Sequence, residues 1–267
     1  MVKLKLDRDR IIEKLDREVS KLGVRIKDAD SMKVMENVFD DQTLVALYKL
    51  VNKGKLSVIG GSISTGKEAN VFYAEDSEGA PVAIKIYRIQ SANFNTMNQY
   101  LVGDPRFSSV RKSKKEVIFA WTRKEYSNLN RAHDAGIRCP KARYFDRNIL
   151  LMDFCGENEI PYPQLRHAGI EKGEGQKHYD AIIHDIDRMY NDAGLVHADL
   201  SEFNLLFDGS EHIIIDMGQA VTPDHPRAVK FLVRDILNIN RFFARLCDIR
   251  DEEEIFREII GEDKLQP

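Results

Sequence analysis

Long apolar runs are missing from this 267-residue sequence. No stretch approaches the ~20 residues needed to cross a bilayer, so no membrane association is expected. The opening Met1-Val-Lys-Leu-Lys-Leu-Asp-Arg lacks the apolar block of a secretory signal. Cysteine is scarce: Cys139, Cys155 and Cys247 are odd in number and scattered. That argues against a disulfide framework and against a zinc-binding spacing, and a reducing, cytoplasmic setting is expected. Net charge is also small, −3, which gives no global pull toward nucleic acid or anionic membrane. Internal repeats and low-complexity tracts are absent as well. What is present, 43% hydrophobic and 31% charged residues, fits a folded globular chain with enough length to bury a core.

Residues 7 to 53 read as helical, with Leu44, Leu47, Tyr48 and Val51 on one face. From Leu56 the pattern changes to short, β-branched and aromatic segments. Ser57-Val-Ile-Gly-Gly-Ser-Ile-Ser, Asn70-Val-Phe-Tyr-Ala and Pro81-Val-Ala-Ile-Lys-Ile-Tyr predict three antiparallel strands. Residues 88 to 113 are polar and lack either period, so a long loop without core residues is expected there. A helix from about 114 to 135 ending at Gly136, a strand pair turning at Arg147-Asn148, and a helix over 176–193 follow. A short strand pair near 205–216 and a helix over about 226–246 complete the pattern. A sheet-rich N-lobe and a helical C-lobe, joined near 153–157, are the expected organisation.

Gly61-Ser-Ile-Ser-Thr-Gly66-Lys67-Glu68 nearly spells a Walker A loop, but Glu68 stands where a metal-binding hydroxyl is needed, and strand-like residues follow instead of a helix. The strand–turn–strand of a kinase glycine-rich hairpin fits better, with Ser64, Gly66 and Ala69 at the glycine positions and Val71 at the valine. An ordinary hairpin turn is the competing reading. In Val82-Ala-Ile-Lys85 an ammonium on a rigid strand can neutralise phosphate charge without moving. The strongest pattern is His197-Ala-Asp199-Leu-Ser-Glu-Phe-Asn204 followed by Ile215-Asp216-Met-Gly218. A carboxylate that orients or deprotonates a hydroxyl or water (Asp199), and an amide oxygen plus a second carboxylate that share a divalent ion (Asn204, Asp216), are the minimal parts for phosphoryl transfer. Glu125, inside the helix after the loop, is the expected carboxylate partner of Lys85, with Glu116 as competitor. Asp153 and Cys155 fall where a hinge would offer a backbone carbonyl and amide to an adenine edge.

Taken together, Ser64-Thr65-Gly66-Lys67-Glu68-Ala-Asn-Val71, Val82-Ala-Ile-Lys85, His197 to Asn204, and Ile215-Asp216-Met-Gly-Gln219 resemble the RIO family of atypical protein serine kinases. With His225-Pro226 and Phe231-Leu-Val-Arg-Asp235, the wording is similar to its Rio-one branch over about 38 to 243. The resemblance implies an α+β, trimmed two-lobe kinase-like fold with a small antiparallel sheet and one long helix in the N-lobe and a mainly helical C-lobe. The implied domains are an N-terminal helical extension (1–54) packed on the kinase domain, an N-lobe (55–152) and a C-lobe (153–267). It also implies ATP with Mg²⁺ or Mn²⁺, serine autophosphorylation with Ser108 or Ser109 as candidates, and a role in maturing the small ribosomal subunit through its precursor and rRNA. The residue carry-over makes Asp199 the base, Asn204 and Asp216 metal ligands, and Lys85 the phosphate contact. The resemblance also implies a phosphate passed through the metal-binding aspartate, as in some family members, which would be Asp216 here. The Ala-Pro-Glu motif of ordinary protein kinases is absent after Asp216, and Ser201 stands where most place a lysine, so free peptides are expected to be poor substrates. A small-molecule kinase of the aminoglycoside or choline type, and a non-catalytic nucleotide-gated assembly factor, are the alternatives. Arg106, Arg111, Lys112, Lys114, Lys115, Arg123 and Lys124 form a basic stretch, read as a solvated helix face ahead of an RNA contact.

Overall fold

The computed structural model describes residues 25–26, 41–89, 94–107 and 113–261. In chain order its strands are β1 (Arg25–Ile26), β2 (Val58–Thr65), β3 (Ala69–Glu75), β4 (Pro81–Tyr87), β5 (Ala142–Asp146), β6 (Ile149–Asp153), β7 (Gly156–Glu157), β8 (Ile160–Pro161), β9 (Leu205–Phe207) and β10 (His212–Ile214). Its α-helices are α1 (Asp41–Asn52), α2 (Phe94–Leu101), α3 (Lys114–Asp134), α4 (Gly175–Asn191), α5 (Ala228–Phe243) and α6 (Glu252–Ile260). Contacts divide the chain into two compact units. One holds the residues before 93 with Arg143–Phe154, and the other holds Asn93–Ala142 with the residues from Cys155 onward.

The first unit is a six-stranded sheet in the order β1-β2-β3-β4-β6-β5, with α1 packed on it. Alternation decides the faces. Phe72 and Ala74 of β3, Val82, Ile84 and Ile86 of β4, and Ile149 and Leu151 of β6 join Ala46, Leu47 and Leu50 of α1 in one apolar cluster. The opposite face of β4 carries Lys85, in register with Val71 and Leu150. Asn148 ties helix to sheet, donating from Nδ2 to Thr43 Oγ1 at 2.7 Å and to the Tyr87 carbonyl at 2.9 Å. The helical reading of 7 to 53 holds for 41–52 and fails at Arg25–Ile26, which pair parallel to β2. That short strand makes the sheet mixed, because an edge partner can be supplied from far away in sequence. Except for Arg25–Ile26, the residues read as helical before 41 lie outside the described ones.

The second unit is mainly helical, with the β9–β10 and β7–β8 hairpins. Ser113 caps α3, its hydroxyl accepting from the Glu116 amide at 3.3 Å, and Gly136 takes φ +74° after the helix ends. By its contacts α3 belongs to this unit. The predicted loop over 88–113 is corrected. It contains α2 and a 3₁₀ turn at Pro105–Phe107, and Met97, Tyr100, Leu101, Asp104 and Phe107 are buried. The Tyr100 ring lies 5.2 Å from Phe231 and 6.0 Å from Trp121. Met97, Tyr100 and Leu101 do have helical spacing, but among Asn, Gln and Thr so short an apolar stripe carries little signal. Among the described residues, no helix is long and apolar enough to cross a membrane.

Candidate active site

Residues 196–204 and 215–221 are brought side by side by backbone pairing. Val196 and Val221 exchange both N–H···O bonds, at 2.8 and 2.9 Å, and the Ile215 amide donates to the Asn204 carbonyl at 3.0 Å. Two non-glycine residues here adopt left-handed backbone, Ala198 (φ 67°) and Asp216 (φ 62°), each at a cost of roughly 1–2 kcal/mol. Asp235 on α5 holds the first in place. Its two carboxylate oxygens accept from the Ala198 amide at 2.7 Å and the Leu200 amide at 2.9 Å. Arg234 donates to the Ala198 carbonyl, and Asn238 donates to that of Leu200 at 3.0 Å. Burial pushes the Asp235 carboxyl up to about 7, and the two amide donors act in the opposite direction.

Asp199 is thereby held at a bend between two clamped peptide groups. Its Oδ2 accepts from Asn204 Nδ2 at 3.2 Å and from Gln219 Nε2 at 2.9 Å. Burial raises its pKa, and the nearby Asp216 charge raises it further. Asn204 Nδ2 also donates to the Asp199 carbonyl at 2.8 Å, which leaves Oδ1 as the acceptor atom of that side chain. His197 lies beneath the loop, donating from Nε2 to the Ile215 carbonyl at 3.1 Å. Among the described residues its Nδ1 has no partner, and burial lowers its pKa to about 4, so the ring is neutral.

A second set of contacts comes from α3. Lys124, fully buried, donates to the carbonyls of Gly218 (2.9 Å) and Ala220. Burial, with Arg106 nearby, lowers its pKa to about 7. Asn128 Nδ2 donates to the carbonyls of Met217 and Ala220, both at 2.9 Å. Gly218 sits so close to the Trp121 indole that a Cβ there would come within 2.8 Å of Nε1.

In the first unit, the β2–β3 hairpin closes with the Gly66 amide donating to the Ala69 carbonyl at 2.9 Å. A Cβ on Gly66 would stand 3.0 Å from that oxygen, so a side chain at this position would crowd the turn. Val71 lies opposite Lys85, whose Nζ is 5.3 Å from the centre of the Tyr87 ring. Asp153 ends β6, with its carboxylate bound to Arg143 Nε at 2.6 Å. In the second unit the Cys155 carbonyl accepts from Tyr162.

A family model of the RIO domain matches residues 70–255, well over half of the chain. This chain belongs to the RIO family. A RIO-type serine/threonine-protein kinase Rio1 from Haloferax volcanii is 44% identical over 255 residues, covering 96% of this chain and 87% of that protein. Its counterpart in Methanocaldococcus jannaschii is 37% identical over 251 residues, covering 93% and 85%. Human serine/threonine-protein kinase RIO1 is 39% identical over 83% of this chain, which spans only 39% of the human protein. Two crystal structures of a Rio2 kinase from Chaetomium thermophilum share the fold. One, a complex with ADP, Mg²⁺ and phosphoaspartate, has TM-score 0.63 at 22% identity and covers 81% of this chain and 66% of that one. The other has TM-score 0.59 at 21% identity, covering 94% and 78%. The chain is thus a RIO-type serine/threonine-protein kinase of the Rio1 kind, with an α+β kinase-like fold.

Within this RIO kinase the structure gathers Asp199, Asn204 and Asp216 in one unit, and Ser64, Thr65, Gly66, Lys67, Glu68, Val71 and Lys85 along neighbouring strands and one turn of the other. Glu125 is 1% exposed on α3, whereas its competitor Glu116 is exposed in the first turn. Ser108 and Ser109 lie outside the described residues. The basic stretch is not one solvated face, because Lys124 is buried and Arg106 is bound to Asp104 and Asn128. The sequence motifs contain Gln219 and Asp235 but give them no role, Lys124 reads there as a solvated cation, and Trp121 and Asn128 carry no functional expectation. The available signal was a polar pair at i, i+4 beside a tryptophan in an otherwise apolar stripe.

Proposed function

We propose that this RIO kinase transfers the terminal phosphoryl group of ATP, with Mg²⁺ (or Mn²⁺), to serine hydroxyls, its own included, or to water. We further propose that it works in maturation of the small ribosomal subunit, with the precursor particle and its rRNA as partners. The observation that carries the chemical reading is the bonding of Asp199. Both side-chain donors go to Oδ2, so Oδ1 remains to accept a hydroxyl proton. The upward shift of its pKa makes the carboxylate a better base than a solvated aspartate.

Asn204 and Asp216 fit a Mg²⁺ ion by their chemistry: an amide oxygen, with its NH₂ committed to Asp199, and a carboxylate are both hard oxygen donors. When bound, the ion would neutralise charge on phosphate oxygens. Lys85, fixed on a central strand, supplies a cation for the phosphates, and the tight Gly66 turn lets backbone approach them. Glu125 is the candidate ion-pairing glutamate, and the Asp153 carbonyl and Cys155 amide are the candidate adenine contacts. The phosphoaspartate of the Rio2 complex supports Asp216 as a transient acceptor. Its carboxylate would displace ADP from the γ-phosphorus, and water would then release phosphate. Eleven residues, 217–227, separate Asp216 from α5, a short stretch in which to dock an extended peptide. Incubating the pure protein with γ-labelled ATP and Mg²⁺ tests the reading. Label on serine, on aspartate or in free phosphate supports it. No turnover, or preferential transfer to a panel of aminoalcohols, overturns it.

A further inference from the structure

Trp121, Lys124 and Asn128 recur at i, i+3 and i+7 on α3, and together they line one backbone segment, 217–220. Lys124 and Asn128 are both fully buried and between them occupy the carbonyls of residues 217, 218 and 220. The residue left between those anchors is Gln219, which donates to Asp199. The α3 face therefore fixes the peptide from which that donor is launched.

The orientation of the Asn128 amide is itself determined from outside the helix. Arg106 Nη1 donates to Asn128 Oδ1 at 2.9 Å. A guanidinium can only donate, so Oδ1 must face Arg106 and the NH₂ must face the Met217 and Ala220 carbonyls. Reversed, the amide would set oxygen against two carbonyl oxygens and N–H against N–H. Arg106 is held in turn by Asp104, 1% exposed, with Nη2 on Oδ2 at 2.7 Å and Nε on Oδ1 at 2.9 Å.

We propose that Arg106 and Asn128 are positioning residues for catalysis: the 104–107 turn is coupled through Arg106, Asn128 and the 217–220 backbone to Gln219 and so to Asp199. The proposal rests on the reading of Asp199 as the catalytic carboxylate. Neither residue is assigned a contact with substrate, so the effect belongs in kcat and not in nucleotide affinity.

Two variants test this in the full chain. Asn128→Asp keeps size and the Arg106 partner but presents only oxygen to the two carbonyls. Arg106→Met removes the donor at a side chain 22% exposed. Each should lower kcat by roughly tenfold or more, the scale of a displaced catalytic group, with the KM for ATP changed less than about twofold. The same substitutions are then made in a Gln219→Ala background, where the link is already cut. There they should cost less than about twofold, since coupled residues are not additive. A structural role alone would give equal losses in both backgrounds, and that result overturns the proposal. So does wild-type kcat for both variants while Asp199→Asn lowers turnover by roughly 10²-fold or more. If Asp199→Asn itself turns over normally, the reading beneath the proposal fails, whatever the other variants do. Should Asn128→Asp not fold, Arg106→Met decides the matter alone, with its melting temperature reporting that it is intact.

Discussion

Replacing Asp199 with asparagine should leave ATP binding in place and lower turnover by roughly 10²–10⁴-fold, the usual scale for a positioned acid–base group. Single-turnover measurements beside nucleotide binding check this, and unchanged turnover would remove Asp199 from the chemistry. His197 gives a different kind of expectation. Its ring is held neutral by burial, with a folded pKa of about 4, below the ordinary value near 6.5. Acidification through that window protonates the unfolded chain first. The contribution of His197 to stability is therefore full above pH ~6.5 and is lost as the pH falls toward 4, at about 1.4 kcal/mol per unit and about 3 kcal/mol in all. Asp235 titrates in the opposite sense, because burial raises its pKa and favours the folded state as the pH falls. Urea denaturation of wild type and His197→Gln between pH 7 and 4.5 separates the two: the variant should lose less stability on acidification, or gain some. Equal slopes would show that the ring is not buried neutral.

The segment read as a featureless loop behaves as structure in α2 and the turn after it. Excising 94–101 removes the burial of Met97, Tyr100 and Leu101, worth at least about 4 kcal/mol at roughly 1.5–3 kcal/mol per side chain. The melting temperature should fall by about 10 °C, and an unchanged transition would refute the packing. Gly218→Ala probes the other side of α3. Its Cβ would come within 2.8 Å of the Trp121 indole, so the 217–220 segment must shift. Turnover should drop by on the order of tenfold or more with little change in the KM for ATP, and full activity would show that the segment has room to move. Strands β2 to β6, β9 and β10, with α3, α4 and α5, were legible because their apolar patterns stand out from the turns around them. So was the candidate set Asp199, Asn204 and Asp216, which a short motif and the strand after it bring to notice. What went unread was contact-dependent. Lys124 looks like any surface lysine in sequence, and only the carbonyls it meets reveal it as buried.

Across the chain the small net charge of −3 conceals local pairing. Arg106 and Lys124 are committed to protein partners, so Lys114, Lys115 and Arg123 are the exposed cations of the basic stretch among the described residues. Nucleotide binding should stabilise the fold by mass action. MgATP at a hundred times its Kd adds about 2.7 kcal/mol, a rise in melting temperature of roughly 5–10 °C. Lys85→Ala and Asp216→Ala should each lose most of that rise. An undiminished shift in either variant would exclude that residue from holding the nucleotide or its ion.

The order of residues alone determined the family, most of the strand and helix pattern, and the candidate residues for phosphoryl transfer, because spacing along one strand, turn or helix is a local property of the chain. Tertiary structure alone decided that Asp235 clamps the strained peptide before Asp199 and that α3 grips residues 217–220. It also decided that the polar segment after β4 has a core of its own. Those outcomes depend on desolvation and on hydrogen bonds between residues distant in sequence, and the spacing of the residues involved does not say which partners they meet.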